Sequence, residues 1–210
     1  MLRGNKEDFN FRELTCGTVM ILNDRNLAVV KKAFPHKEGD NAIFACGYID
    51  HTAGITFEVL CVGNYGEKAM EFRAGNPTTS MKLRYDSIDG EILPLKDNFM
   101  PQLQDKVDMV RNGYKVNDAI LKGRNSGVFD DFRHPQFPDD VMLLFYKEGL
   151  QPEMIWCRIE AEKEGRPAAI LLNEPNADFG LHRGDMVVFD WSKRDDNRMI
   201  GVALLPWMGI

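Results

Sequence analysis

The chain has 210 residues, 32 acidic against 26 basic side chains, and a formal net charge of −6 at neutral pH. It is long enough to bury a substantial core without disulfides, and its acidity argues against a nucleic-acid surface, which needs clustered Lys and Arg to displace counterions. No apolar run approaches the roughly 20 residues of a membrane span, and the mixed charges of Met1 to Asp8 leave no signal-peptide core, so a soluble cytoplasmic protein without a membrane partner is expected.

Short β-prone runs separated by turn residues fill Cys16 to Leu95. Thr18 to Leu22 reads as a strand ending at the turn-forming pair Asn23-Asp24. In Leu27 to Phe34, the spacing of Leu27, Val30 and Phe34 is helical while the Val pair suits a strand; the helix is preferred, capped by Asp24 and stopped before Pro35. Ile43 to Ile49 and Ile55 to Val62 flank Asp50 to Gly54, a hairpin loop by length and glycine. A second hairpin is expected between Lys82–Tyr85 and Glu91–Leu93, around Asp86 to Gly90.

The period then changes. Phe99, Leu103, Val107 and Val110 recur every three to four residues, which predicts a principal amphipathic helix over about Asp97 to Asn112, with Asp97 or Asn98 as cap and Gly113 just past its end. A shorter helical turn is read over Asn117 to Lys122, and Gly123 to Pro138 as a long loop. Strands resume at Val141–Tyr146, Met154–Glu162, Pro167–Leu172, Met186–Trp191 and Met199–Leu205, with Glu164-Gly165 turning the central hairpin. The expected fold class is α+β, built from antiparallel hairpins and a meander with one principal helix on a sheet face. The division into domains is expected at 1–95, a β-rich region, and 96–210, an α+β module. The apolar end of the chain, Ala203 to Ile210, is expected to pack on its own core rather than to form a patch for a partner.

The four cysteines, Cys16, Cys46, Cys61 and Cys157, form no C-x-x-C pair and have no histidine at zinc-ligand spacing, so they are read as buried thiols in a reducing compartment, and no cofactor is expected. Two polar concentrations carry what chemistry the sequence offers. Within Asp130 to Asp140, four carboxylates (Asp130, Asp131, Asp139, Asp140) and His134 are candidates to bind a hard cation, or to orient His134 as a general base. The alternation of an EF-hand and an H-E-x-x-H helix are both absent, so no metal is assigned, and the preferred reading is a surface loop in which Asp130 or Asp131 forms a turn and Asp139 caps the next element. Further on, Asn173, Glu174, Asp178, His182 and Asp185 gather at one rim if Leu171–Pro175 lies beside Leu181–Phe189. No Ser or Cys stands in a nucleophile elbow, and Gly123 to Val128, with Ser126, matches neither G-x-S-x-G nor a phosphate loop. The catalytic candidates are therefore His134, His182 and Asp185; the binding candidates are Asp130, Asp131, His134, Asp139, Asp140, Asn173 and Glu174.

Glu153-Met154-Ile155-Trp156, Leu171-Leu172-Asn173-Glu174-Pro175, and Gly184-Asp185 with Val187, Val188 and Phe189 follow one another in the order of a YegJ-like bacterial domain-of-unknown-function family, which the last quarter of the chain resembles. The tryptophan is displaced one place, and Asp190-Trp191 falls closer to the strand than in that pattern. The resemblance implies a small bacterial α+β module and no chemistry. Turn geometry at Asn173, Pro175 and Gly184, and core packing of Trp156, account for the same residues. The leading expectation for function is a non-catalytic binding or regulatory protein with a protein partner, of the immunity kind that neutralises a toxin or enzyme. The alternative is a hydrolase, metal-assisted or not, using the Asp130–Asp140 loop or the Glu174/His182/Asp185 rim. Oligomeric state is left open.

Overall fold

Thr18–Leu22, Ala42–Asp50 and Gly54–Tyr65 read as nearly unbroken apolar runs because, as strands β1, β2 and β3, they bury side chains on both faces of one sheet. The structure, a computed structural model, describes residues 6, 9–66, 69–76, 78–95 and 101–205. The sheet is antiparallel and runs β4 (Met70–Ala74), β3, β2, β1, β6 (Glu91–Pro94), while β5 (Lys82–Arg84) pairs with the first half of β3. On one face Val19, Ile21, Ile43, Phe57 and Val62 pack with Val30 of helix α1 (Leu27–Ala33) and with Phe34. On the other, Met20, Phe44, Cys46 and Leu60 meet Leu103 and, from helix α2 (Gln104–Gly113), Val107 and Val110. That apolar stripe is the one the spacing predicts. Lys106, also buried on α2, donates to the carbonyls of Val59 (2.9 Å) and Thr79 (2.6 Å) and lies 3.4 Å from Glu58 Oε1, so its charge is not left unpaired.

Three expectations change here. The hairpin over 81–95 does not form, because β5 pairs with β3 and β6 with β1. Asp24 is the physical reason: its carboxylate accepts the N–H groups of Asp89 (2.8 Å) and Gly90 (2.9 Å), steering the chain to β1, and at Gly90 a Cβ would strike the Leu22 carbonyl. The N-cap of α1 moves to Asn26, whose side chain makes no capping bond, while Asp24 serves the helix start through Oδ1, which accepts the Asn26 N–H at 2.7 Å. The chain divides into Met1–Lys115 and Val116–Ile210, past α2 rather than at 95/96, since the stripe of α2 belongs to the first sheet. The cap candidates Asp97 and Asn98, together with Phe99 and the tail from Pro206, lie outside the described residues.

In the second unit, Asn117 caps helix α3 (Asp118–Asn125) through its Oδ1, which accepts the Ile120 N–H at 3.0 Å. A 3-10 segment, Gly127–Phe132, follows, so much of the expected loop is helical. Strands β7 (Asp140–Phe145), β8 (Glu153–Lys163), β9 (Arg166–Leu171), β10 (Met186–Lys193) and β11 (Met199–Leu204) then run up and down and close into a barrel. Five strands are an odd number, so the closing pair β11–β7 is parallel. The β8–β9 turn uses Glu164 (φ 52°) and Gly165 (φ 78°), both left-handed as a tight hairpin requires. Val141, Leu143, Phe145, Ile155, Cys157, Phe189 and Ala203 fill the interior with Phe129 and Phe132 from the 3-10 segment. Antiparallel sheet, barrel and few helices make the class α+β.

Burial alone pushes the Asp24 carboxyl up, but the N–H groups of Gly90, Asn26 and Asp89 together outweigh it and hold the pKa below the usual carboxylate range. Asp24→Ala should cost about 2–3 kcal/mol at neutral pH, read by denaturant melts, since buried donors lose their acceptor. A depressed pKa stabilises above the unfolded value and stops doing so as pH falls through the folded one, so the gap to wild type should narrow in acid.

Candidate functional site

The four aspartates of the first polar stretch face four different partners. Asp139 grips Arg124 of α3 at two points (2.8 and 2.7 Å), Asp140 grips Arg158 of β8 likewise (2.6 and 3.0 Å), Asp130 pairs with Arg133 (3.2 Å), and Asp131 Oδ2 accepts the Met199 N–H (2.7 Å). Arg133 also donates to the carbonyls of Pro138 and Gly123. These carboxylates therefore do not converge on one point; arginines and a backbone N–H engage them. His134 Nδ1 accepts the N–H groups of Gln136 (3.1 Å) and Phe137 (3.2 Å), so the neutral ring carries its proton on Nε2. Its ring stands edge-on to Phe137 and Trp156, at 5.0 and 5.1 Å between centroids.

The second candidate set does come together. Glu174 Oε1 lies 2.6 Å from Nδ1 of His182, which must donate because a carboxylate only accepts; Oε2 accepts the Arg183 N–H at 2.9 Å. Asp185 Oδ2 accepts the His182 N–H at 2.8 Å, and Gly184 between them has φ 92°, a conformation that suits glycine. The Arg183 N–H and then His182 hold the Glu174 carboxyl low, and Glu174 in turn raises the His182 pKa. Asp178 instead accepts the Gly180 N–H (3.0 Å). This rim is open to solvent, with the His182 side chain 76% exposed. An imidazole oriented by a carboxylate is one part of an acid–base apparatus; a nucleophile and electrostatic stabiliser are needed beside it. Cys46, Cys61 and Cys157 do not supply the nucleophile, because burial pushes their thiols to about 11, 12 and 12. Among the described residues no three His, Cys, Asp or Glu side chains are placed to hold a metal ion.

The other residues of the C-terminal motifs serve backbone geometry. Glu153 accepts the N–H groups of Asn176 (2.9 Å) and Ala177 (2.6 Å), and Asn173 Oδ1 accepts that of Trp156 (3.1 Å). Trp156 itself is not core: Ile155 and Cys157 take the barrel interior, and the alternation of a strand turns Trp156 outward.

Outward side chains form a feature the sequence reading missed. Met142 of β7, Met154 and Trp156 of β8, and Ile200 of β11, together with Met199, which also packs against the core, line a cleft of about 210 Å³ on the barrel surface, with Asp131, Arg133, Arg194 and Arg198 among its walls. Met154 is 45% exposed. The signal was present in Val141 to Tyr146, where residues of both parities are apolar, while a barrel interior requires only one. Asp131 and Arg133 bring the first polar stretch to the cleft, and the His134 ring packs edge-on to Trp156. No family model matches the chain, and comparisons with curated proteins and with solved structures give no match. No helix among the described residues is long and apolar enough to cross a membrane.

Two measurements check this assignment of roles. Arg124→Met leaves the buried Asp139 carboxylate without its main partner and should destabilise the protein by about 3 kcal/mol or more in a denaturant melt. In NMR titrations His182 should hold its proton above the usual histidine range, and Glu174→Gln should bring it back toward that range. Equal His182 titrations in the two proteins would dissolve the pair.

Proposed function

We propose that the chain is a non-catalytic binding protein of a bacterial cytoplasm, of the kind that regulates or neutralises a protein partner, and that it engages that partner through the Met154–Trp156 cleft. The observation that carries this reading is a largely apolar cleft set on barrel strands, with Arg133, Arg194 and Arg198 and a single acidic residue, Asp131, in its lining. Methionine adapts its shape to a partner, tryptophan supplies a large anchor, and arginine is favoured at interface centres. The partner this favours is a protein segment with an apolar anchor flanked by acidic side chains, even though Asp196 already pairs with Arg198 (2.8 Å). The likeness to a YegJ-like family belongs to the same proposal and adds no chemistry to it.

A hydrolytic reading rests on one observation, the 2.6 Å contact between Glu174 and His182, which leaves His182 Nε2 to act on a water. The two readings separate in one set of variants. Met154→Glu should abolish capture of the partner by the immobilised protein, with an unchanged melting temperature, while His182→Ala captures it like wild type. Identical capture by Met154→Glu and wild type, or turnover of an ester or phosphate substrate that His182→Ala loses, would overturn the binding reading.

A further inference from the structure

The first unit's sheet is covered on both faces, so what it can offer a partner is an edge, and β4 forms one of them. Among the described residues β4 pairs only with β3, in the register Asn64–Glu71, Gly63–Phe72 and Val62–Arg73. The Glu71 carbonyl abuts the position that a Cβ on Gly63 would take, so Glu71 turns its peptide groups toward β3. Its neighbour Phe72 then turns its own N–H and C=O to the open side.

The sequence of this strand is complementary to itself. Glu71 and Arg73 are two residues apart and share a face, while Phe72 points to the opposite one, where its ring meets Phe44 at 4.7 Å. We propose that the outer edge of β4 pairs antiparallel with β4 of a second copy of this chain, about a two-fold axis through Phe72. In that register each Phe72 exchanges two backbone hydrogen bonds with its counterpart. Each Glu71 stands directly across from the second copy's Arg73 in a non-hydrogen-bonded position, where side chains approach most closely. The two-fold axis makes both charge pairs identical, as an isologous interface requires.

Arg73 is suited to such sharing. One guanidinium nitrogen already serves both Asp40 (3.1 Å) and Glu71 of its own chain (2.6 Å), which shows the fork donating to two carboxylates at once. A carboxylate arriving from across the edge offers a further acceptor to the same fork. A strand of five residues makes a small interface, so the pair should be weak and exchange rapidly.

Sedimentation and amide hydrogen exchange of the full chain over a range of concentrations test this. At millimolar protein a dimer should form, and exchange of the Phe72 amide should slow roughly tenfold as the dimer fills, while that of Glu71, already bonded to β3, changes little. Glu71→Lys places like charges opposite each other twice and should return the chain to a monomer; Glu71 is 57% exposed, so the melting temperature should hold. A chain that stays monomeric at millimolar concentration would overturn the pairing. So would a dimer in which the Phe72 amide exchanges as in the monomer, or one that Glu71→Lys leaves intact.

Discussion

Two consecutive aspartates hold the second unit in its path. Asp139 takes Arg124 from α3, Asp140 takes Arg158 from β8, and both grips are two-pointed and largely buried. Bidentate pairs of this kind fix orientation as well as distance, and burial makes each partner necessary to the other. Between the helix and the first barrel strand the chain must also deliver Phe129 and Phe132 into the core, and Arg133 ties that stretch to the carbonyls of Gly123 and Pro138. The carboxylates of Asp130 to Asp140 are thus spent on architecture. A concentration of carboxylates marks a functional site only if basic side chains do not reach it first.

Much of the fold was legible because it depends on neighbours in sequence. The 50–54 hairpin, the Glu164-Gly165 turn and the stripe of α2 follow from spacing and from glycine within a few residues. The expected hairpin at 81–95 failed because its outcome depends on Asp24, 65 and 66 residues from the N–H groups it binds. Closure of the barrel likewise depends on a long-range pairing, β7 with β11, which are separated in sequence by β8, β9 and β10. The site divides in the same way. Glu174, His182 and Asp185 were readable as a rim because a single turn brings them together, whereas nothing local indicates that Asp139 will face Arg124 or that Trp156 will face outward.

A barrel of five strands is too narrow to hold a ligand, and here phenylalanines and aliphatic side chains fill it. Whatever this unit recognises, it meets on the outside. The outer surface is uneven in a way that follows from strand alternation: β7 and β11 set Met142, Leu144, Ile200 and Val202 outward, while β10 passes on the same side from Met186 and Val188 to Asp190 and Ser192. Solubility would be served by polar residues all round, so the apolar sector is a local departure that stability of the barrel does not demand.

The first unit solves the opposite problem. Its central strands are apolar on both faces and both faces are covered, so what the described sheet leaves open is its backbone edges. The two ends of the sheet are not equivalent. At β6 the strand closes on Pro94, which has no N–H to offer, and the chain then returns a bond from Leu95 N–H to the Thr18 carbonyl at 3.0 Å. At β4 all five residues carry an N–H, and the charged side chains alternate in sign across a central aromatic. Proline is a common means of closing an edge to further strands. Where it is missing, the arrangement of charge bears on which strand can add, and the charges of β4 are complementary to its own sequence read in reverse.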